Sequence, residues 1–268
     1  MKITCHNRFV LLTVILMVAF IQPVSGVYAQ ERLRYSCSAQ VYEAFSVEMI
    51  DEFSRKQGIE VLTHISSSNS ALYRLMNDFS DIAGTTQKLL FRHRAYGYVQ
   101  TPFCRDMLAI IAGDSCSVDT ITLEEVREIF GKKLINWKPL GGPDQPIVVV
   151  IPGKETGAYH NFYYQVMRKE EIRFDYSSSR STLTIKAVKN IPNAISFIGY
   201  GSAYGKKGIK VIRIDGMSPE NSRYPFYQTF SYVTKGNPSG LSRRLINFTF
   251  SREGFEIINR KGMHPIQE

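Results

Sequence analysis

Between Ile147 and Met167 the chain reads IVVVIPGKETGAYHNFYYQVM, and within this stretch the spacing of the apolar side chains changes period. The opening β-branched run is the composition of a buried strand, and Pro152-Gly153 stops it. Beyond Glu155, the residues Tyr159, Phe162, Tyr163, Val166 and Met167 recur at helical intervals and form one apolar face. A strand therefore passes through a short polar loop into a helix that starts near Thr156. The first amides of such a helix lack intrahelical partners, and the helix dipole makes that end partly positive. With the Lys154 charge and the Thr156 hydroxyl beside it, the corner can cradle an anion. Standing alone, it also reads as an ordinary capped helix.

The same kind of corner recurs through the first third of the chain. Leu33-Arg34-Tyr35 is predicted as a short strand, followed by the small polar turn Ser36 to Ala39. A helix then carries Tyr42, Phe45, Met49 and Phe53 as its buried stripe, closed by Gly58. Ile59 to Ile65 is the second strand. It runs into Ser66 to Ser70 and a helix bearing Leu72, Leu75, Met76 and Phe79. Asp81 to Gly84 is a third strand that ends in Thr85-Thr86. Strand–helix alternation of this kind implies a mostly parallel sheet covered by helices, with ligands collecting beyond the carboxyl ends of the strands.

Further on, Val99 to Ala112 supplies one or two strands, and Thr122 with Glu125 has capping-box spacing at a helix start. A helix is expected from Ser181 to Lys189, and strands at Ala194 to Ile198, Lys210 to Ile214 and Phe226 to Val233. Two helices, Ser239 to Phe250 and Glu253 to Arg260, close the chain. No linker or low-complexity run divides it.

Residues 1–29 read as a cleaved secretory signal: Lys2 and Arg8 precede an apolar run from Phe9 to Ile21, Pro23 breaks it, and Val27-Tyr28-Ala29 ends in a small residue. That run is shorter than the roughly 20 residues that span a bilayer, so a soluble exported, periplasmic protein with no membrane span after cleavage is expected. The chain after Ala29 keeps 31 basic and 24 acidic residues. They are spread rather than blocked, which argues against a nucleic-acid surface and leaves an anionic small ligand open. Cys37, Cys104 and Cys116 permit one bridge at most. An extended Cys104 to Cys116 segment would hold its ends roughly 25 Å apart or more, so Cys37 is the expected partner of either. No cysteine–histidine spacing suits a metal, no G-x-S-x-G occurs, and the Gly201 to Lys206 stretch is a residue short of a phosphate loop. The residues point to binding rather than catalysis, with no cofactor.

Several stretches together carry a resemblance: ITLEEVREIFGKKLINWKPLGGPDQPIVVV, then TGAYHNF, IPNAISFIGYGSAYGKKGIKVIRIDG, SPENSRYPFYQTFSYV and INFTFSREGFEIINRKGMHPI. From Leu33 to Ile266 the chain resembles the phosphate-binding component of ABC transporters. The resemblance implies an α/β, two-lobed periplasmic-binding-protein fold (type II), each lobe a mainly parallel sheet flanked by helices, with the ligand in the cleft between lobes. Residues 30–108 and 206–268 would form lobe I and 109–205 lobe II. It also implies a monomer that delivers a small oxyanion, phosphate first, to an ABC permease in the inner membrane.

The family's binding corners transfer to Ser38 and Gln40, to Ser68 and Ser70, to Thr86, and to Lys154, Thr156 and Gly157 as the expected ligand set. Departures stand at Thr86, where relatives can carry an Asp that accepts the proton of monohydrogen phosphate, and at Pro152, where they carry an arginine. Lys154 restores only the charge of that guanidinium fork. The alternative reading is an exported sensing or protein-interaction module of the same fold that has lost strong phosphate binding.

Overall fold

The protein is described by a computed structural model that covers residues 31–267; the expected signal at 1–29 lies outside the described residues. β1 (Arg32–Ser38) leads into one long helical segment made of α1 (Ala39–Val41), a π-helical turn (Tyr42–Ser46) and α2 (Val47–Gln57), which Gly58 ends at φ +65°. Of the expected stripe, Phe45, Met49 and Phe53 are buried and Tyr42 packs half-buried beside them. β2 (Glu60–Ser66), α3 (Ser68–Met76) and β3 (Ile82–Thr85) repeat the alternation. Phe79 was expected on the buried face of α3; it lies beyond the helix end, 55% exposed, beneath the Arg74 guanidinium.

α4 (Phe91–Ala95) precedes β4 (Tyr98–Gly113), a single strand of 16 residues. β5 (Thr120–Ile121) and α5 (Leu123–Phe130) follow, the latter opened by the capping box of Thr122 and Glu125. β6 (Val148–Pro152), α6 (Gly157–Gln165), β7 (Tyr176–Ser178), α7 (Ser181–Asn190), β8 (Ala194–Gly199), α8 (Tyr200–Ala203) and β9 (Ile209–Ile214) complete the middle of the chain. β10 (Tyr227–Lys235), α9 (Gly240–Thr249), α10 (Arg252–Arg260) and β11 (His264–Pro265) end it. In α6, Phe162 stacks on Phe197 of β8 with ring centroids 3.7 Å apart, a contact worth about 1 kcal/mol beyond its buried area. Val166 and Met167 lie past the helix end but stay fully buried, so the apolar period outlasts the hydrogen-bonded helix.

The sheet is mixed, in the order β2-β1-β3-β10-β4-β8-β6-β7. It is parallel at its two flanks, β2-β1-β3 and β8-β6-β7, and antiparallel where β10 and β4 run through the middle. β4 pairs with β10 along Tyr98–Met107 and with β8 along Leu108–Ala112. From Met107 to Ala112 every residue of β4 is buried, the mark of a strand covered on both faces. One apolar core gathers Tyr35, Phe45, Phe53, Phe103, Phe230 and Tyr232; another gathers Ile110, Phe130, Trp137, Phe162 and Phe197. β9 pairs with the Ile110–Gly113 end of β4, and Ile212, Ile214, Tyr224 and Phe226 pack in the second core.

The expected bridge through Cys37 does not form: Cys37, Cys104 and Cys116 are all free thiols. Cys37 on β1 is separated from Cys104 on β4 by β3 and β10. Three strand spacings amount to about 14 Å, beyond the reach of a disulfide. Among the described residues no helix is long and apolar enough to cross a membrane.

Candidate functional site

Four chain corners meet at one cleft, and in each a hydroxyl ends a strand or caps a helix. At the end of β1 the Ser38 Oγ accepts the Val41 amide at 3.3 Å. At the start of α3, Ser67 accepts the Ser70 amide at 3.2 Å, which leaves the Ser68 side chain facing the next corner. There Ser68 Oγ lies 3.3 Å from Thr86 Oγ1 and accepts the Thr86 amide at 3.3 Å. At the fourth corner Thr156 Oγ1 accepts the Tyr159 amide at 3.2 Å and donates to the Gly153 carbonyl at 2.8 Å. These side chains take the helix-capping geometry that their residue types favour.

The cleft between them encloses about 320 Å³ and is lined by Ser38, Gln40, Ser66 to Ser68, Glu155 to Gly157 and Ser179 to Ser181. Thr86 is not one of its lining residues but lies directly behind Ser68 and Gly157, which are. A Cβ at residue 157 would collide with the Thr86 hydroxyl, lie 2.6 Å from Thr86 Cβ and sit 3.0 Å from Gln228 Oε1. Only glycine permits that approach of α6 to the third corner. Thr86 and Gly157 border a second cavity of about 740 Å³, reached past His160 and Tyr164.

Gln40 spans the cleft. Its Oε1 accepts the Ala158 amide, the second of α6, at 3.3 Å. Its Nε2 is buried with no protein partner, a donor that a cleft occupant would satisfy. On the facing side Glu43, in the π-helical turn, accepts the Thr182 amide at 3.4 Å and the Thr182 hydroxyl at 3.3 Å, capping α7. Below the floor lies a wholly buried carboxyl, Asp106, which accepts the Gly201 amide at 2.7 Å and a Gln228 Nε2 proton at 2.8 Å. Burial pushes its pKa up to about 6 in spite of these donors.

Of the residues expected from sequence, the cleft brings together Ser38, Gln40, Ser68, Thr156 and Gly157, with Thr86 against Ser68 and lining the adjoining cavity. Two stand elsewhere. Ser70 is inside the first turn of α3 and does not line the cleft. Lys154, expected to supply the charge, is exposed with its ammonium 5.5 Å from the centre of the Phe174 ring, and it is not among the lining residues. The loop between β6 and α6 carries this side chain to the outer, aromatic side. Sequence reasoning missed Ser179, Arg180 and Ser181. The strand before them, Tyr176–Ser178, has no apolar alternation to announce it, though its hydroxyl run repeats the strand–corner–helix pattern. Among the described residues no group of three His, Cys, Asp or Glu side chains could hold a metal.

The sequence profile of a family described as PBP superfamily domain matches residues 27–253. Protein SphX of Synechococcus elongatus is 25% identical over 222 residues, 78% of this chain and 66% of that protein. The phosphate-binding protein PstS of Bacillus subtilis is 25% identical over 167 residues, 60% of this chain and 55% of that protein. The chain thus spans two thirds or less of these two relatives. A crystal structure from Clostridium perfringens, described as a phosphate ABC transporter substrate-binding protein with bound phosphate, superposes with a TM-score of 0.78 at 24% identity. It covers 88% of this chain and all of that one, which shows the shared fold.

Proposed function

The chain belongs to the PBP superfamily, and on that premise we propose that it is an exported solute-binding protein that captures a small oxyanion, phosphate first, for an ABC transporter. The observation that carries this reading is the convergence of Ser38, Gln40, Ser68, Thr156 and Gly157 on one cleft with the buried Gln40 Nε2 unsatisfied. Hydroxyls, helix-terminal amides and a free amide donor are groups that hold oxygen anions without a metal. On this lining the proposed reading is binding rather than catalysis. The chain would act in the periplasm as a monomer after loss of residues 1–29 and present its bound ligand to a permease in the inner membrane.

Two lobes about this cleft belong to the same proposal. The separate apolar cores support one lobe from residue 31 to 106 and from 227 to 266, and another from 107 to 226. The pairing of β9 with the far end of β4 favours a return to the first lobe near residue 226 over the expected 206.

Calorimetry of the chain from residue 30 with phosphate, sulfate, molybdate and methylphosphonate tests the reading. Heat or a thermal shift with one of them is the expected result; none at millimolar concentration overturns it. One observation favours a second reading, an exported sensing or interaction module of this fold. Gln40 Oε1 already occupies an α6 amide that an anion would use. An unresponsive cleft together with capture of an envelope protein outside any transporter would select that alternative.

A further inference from the structure

We propose that Arg180 supplies the positive charge for the anion in this cleft; the inference rests on the oxyanion reading above. The helix termini that face the cleft are largely satisfied by protein groups. Gln40 takes the Ala158 amide and Thr156 the Tyr159 amide of α6, Glu43 takes the Thr182 amide of α7, and Ser67 takes the Ser70 amide of α3. What remains for a guest includes the Gly157 amide at the first position of α6, the hydroxyls of Ser38, Ser68 and Ser181, and the Gln40 Nε2. The last is a buried donor without a partner and belongs to a residue 94% removed from solvent. All of these are neutral. An anion drawn from water into such a site needs a charge-assisted partner to offset its lost hydration.

Three charged residues stand at or beside the cleft wall, and only one has the right sign and freedom. Glu43 is engaged at the start of α7. Glu155 lines the cleft with a carboxylate, whose charge repels an anion. Arg180 lines the same cleft at the N-cap position of the ten-residue α7, and its side chain makes no capping bond. The ion pairs that precede it in the chain, Lys132 with Asp175 and Arg173 with Glu171, leave its guanidinium unclaimed among the described residues. Lys154 is held at Phe174 instead. With proline at 152, the guanidinium fork of this site comes from α7 and offers paired N–H donors to two oxygens of one ligand.

The test compares the wild-type chain from residue 30 with Arg180→Ala, Arg180→Lys and Lys154→Ala by calorimetry with inorganic phosphate, sulfate and methylphosphonate. Thermal melting confirms that each variant is folded. For whichever anion the wild type binds, Arg180→Ala is expected to weaken binding by roughly ten- to a hundredfold, the range of a charge-assisted hydrogen bond. Arg180→Lys should restore only part of it, and Lys154→Ala should leave it unchanged. Wild-type binding that survives Arg180→Ala overturns this inference while the oxyanion reading stands. A wild type that binds none of the three anions overturns both.

Discussion

Gln228 donates its Nε2 proton to Asp106 Oδ2 at 2.8 Å, and both side chains are wholly buried beneath the cleft floor. The amide oxygen of the same glutamine has no partner. A neutral amide therefore stands opposite the carboxylate where a cation would have stabilised it, and burial raises the Asp106 pKa from 3.8 to about 6. An acid whose folded pKa lies above its unfolded value binds its proton more tightly in the folded state. Stability is accordingly greatest below pH 4 as far as this group is concerned, and falls as pH rises from about 4 to 6. The loss at neutral pH is about 3 kcal/mol. Asp106→Asn should flatten that fall and be at least as stable as wild type at pH 8, with Gln228 turning its free oxygen towards the new amide. Urea unfolding at pH 4, 6 and 8 measures both; a variant with the wild-type slope would contradict the assignment.

Gly157 and Thr86 define how closely α6 meets the third corner. Gly157→Ala should destabilise the fold by about 1–3 kcal/mol through overpacking against the Thr86 side chain. Adding Thr86→Ala should recover part of this, because the hydroxyl contact disappears while the Thr86 Cβ remains 2.6 Å from the added methyl. Melting temperatures of Gly157→Ala, Thr86→Ala and the double variant would show the non-additivity.

Gln40 bridges the first and fourth corners through one oxygen and offers the cleft one nitrogen. Gln40→Glu keeps the acceptor for the Ala158 amide, strengthens it with charge at a helix N-terminus and replaces the donor with a repelling oxygen. The variant should melt lower than wild type at neutral pH, because its carboxylate is buried with a single donor, and should lose about tenfold or more in affinity for any oxyanion that the wild type binds in calorimetry.

All three thiols are free, with Cys37 and Cys104 buried and Cys116 half-exposed. Burial pushes the Cys37 pKa up to about 12 and raises that of Cys104 as well. A disulfide-exchange reagent should label one thiol in the native chain, Cys116, and all three after unfolding in denaturant. A native protein two mass units lighter than its sequence would contradict this.

Arg34 and Asp81 tie β1 to the start of β3, with Nη2 to Oδ1 at 2.5 Å and the Arg34 amide to Oδ2 at 2.8 Å. Burial alone would raise the Asp81 pKa; the hydrogen bonds and charge of Arg34 outweigh it and hold it low. This stability is present at neutral pH and lost as pH falls through the depressed value. Both groups are about a third or more exposed, so Asp81→Asn should cost only about 1 kcal/mol at pH 7, and less at pH 3. Unfolding of the variant at the two pH values checks the sign.

Local sequence determined the elements whose signals are local. The β-branched run of β6, the cap at Thr156, the capping box at Thr122 and Glu125, and the turn at Gly58 each follow from residues within one helical turn of one another. The positions of Ser38, Ser68 and Thr156 at helix starts and of Thr86 just past a strand end were legible for the same reason, and a shared strand direction implied that they meet. Tertiary structure alone decided three matters. It set the antiparallel course of β4 and β10 through the middle of the sheet, because strand order depends on pairing between residues more than a hundred positions apart. It left the three thiols unpaired, since three strand spacings separate two of them. It moved Lys154 to Phe174 and brought Arg180 to the cleft, because a long charged side chain settles according to neighbours that its own segment does not contain.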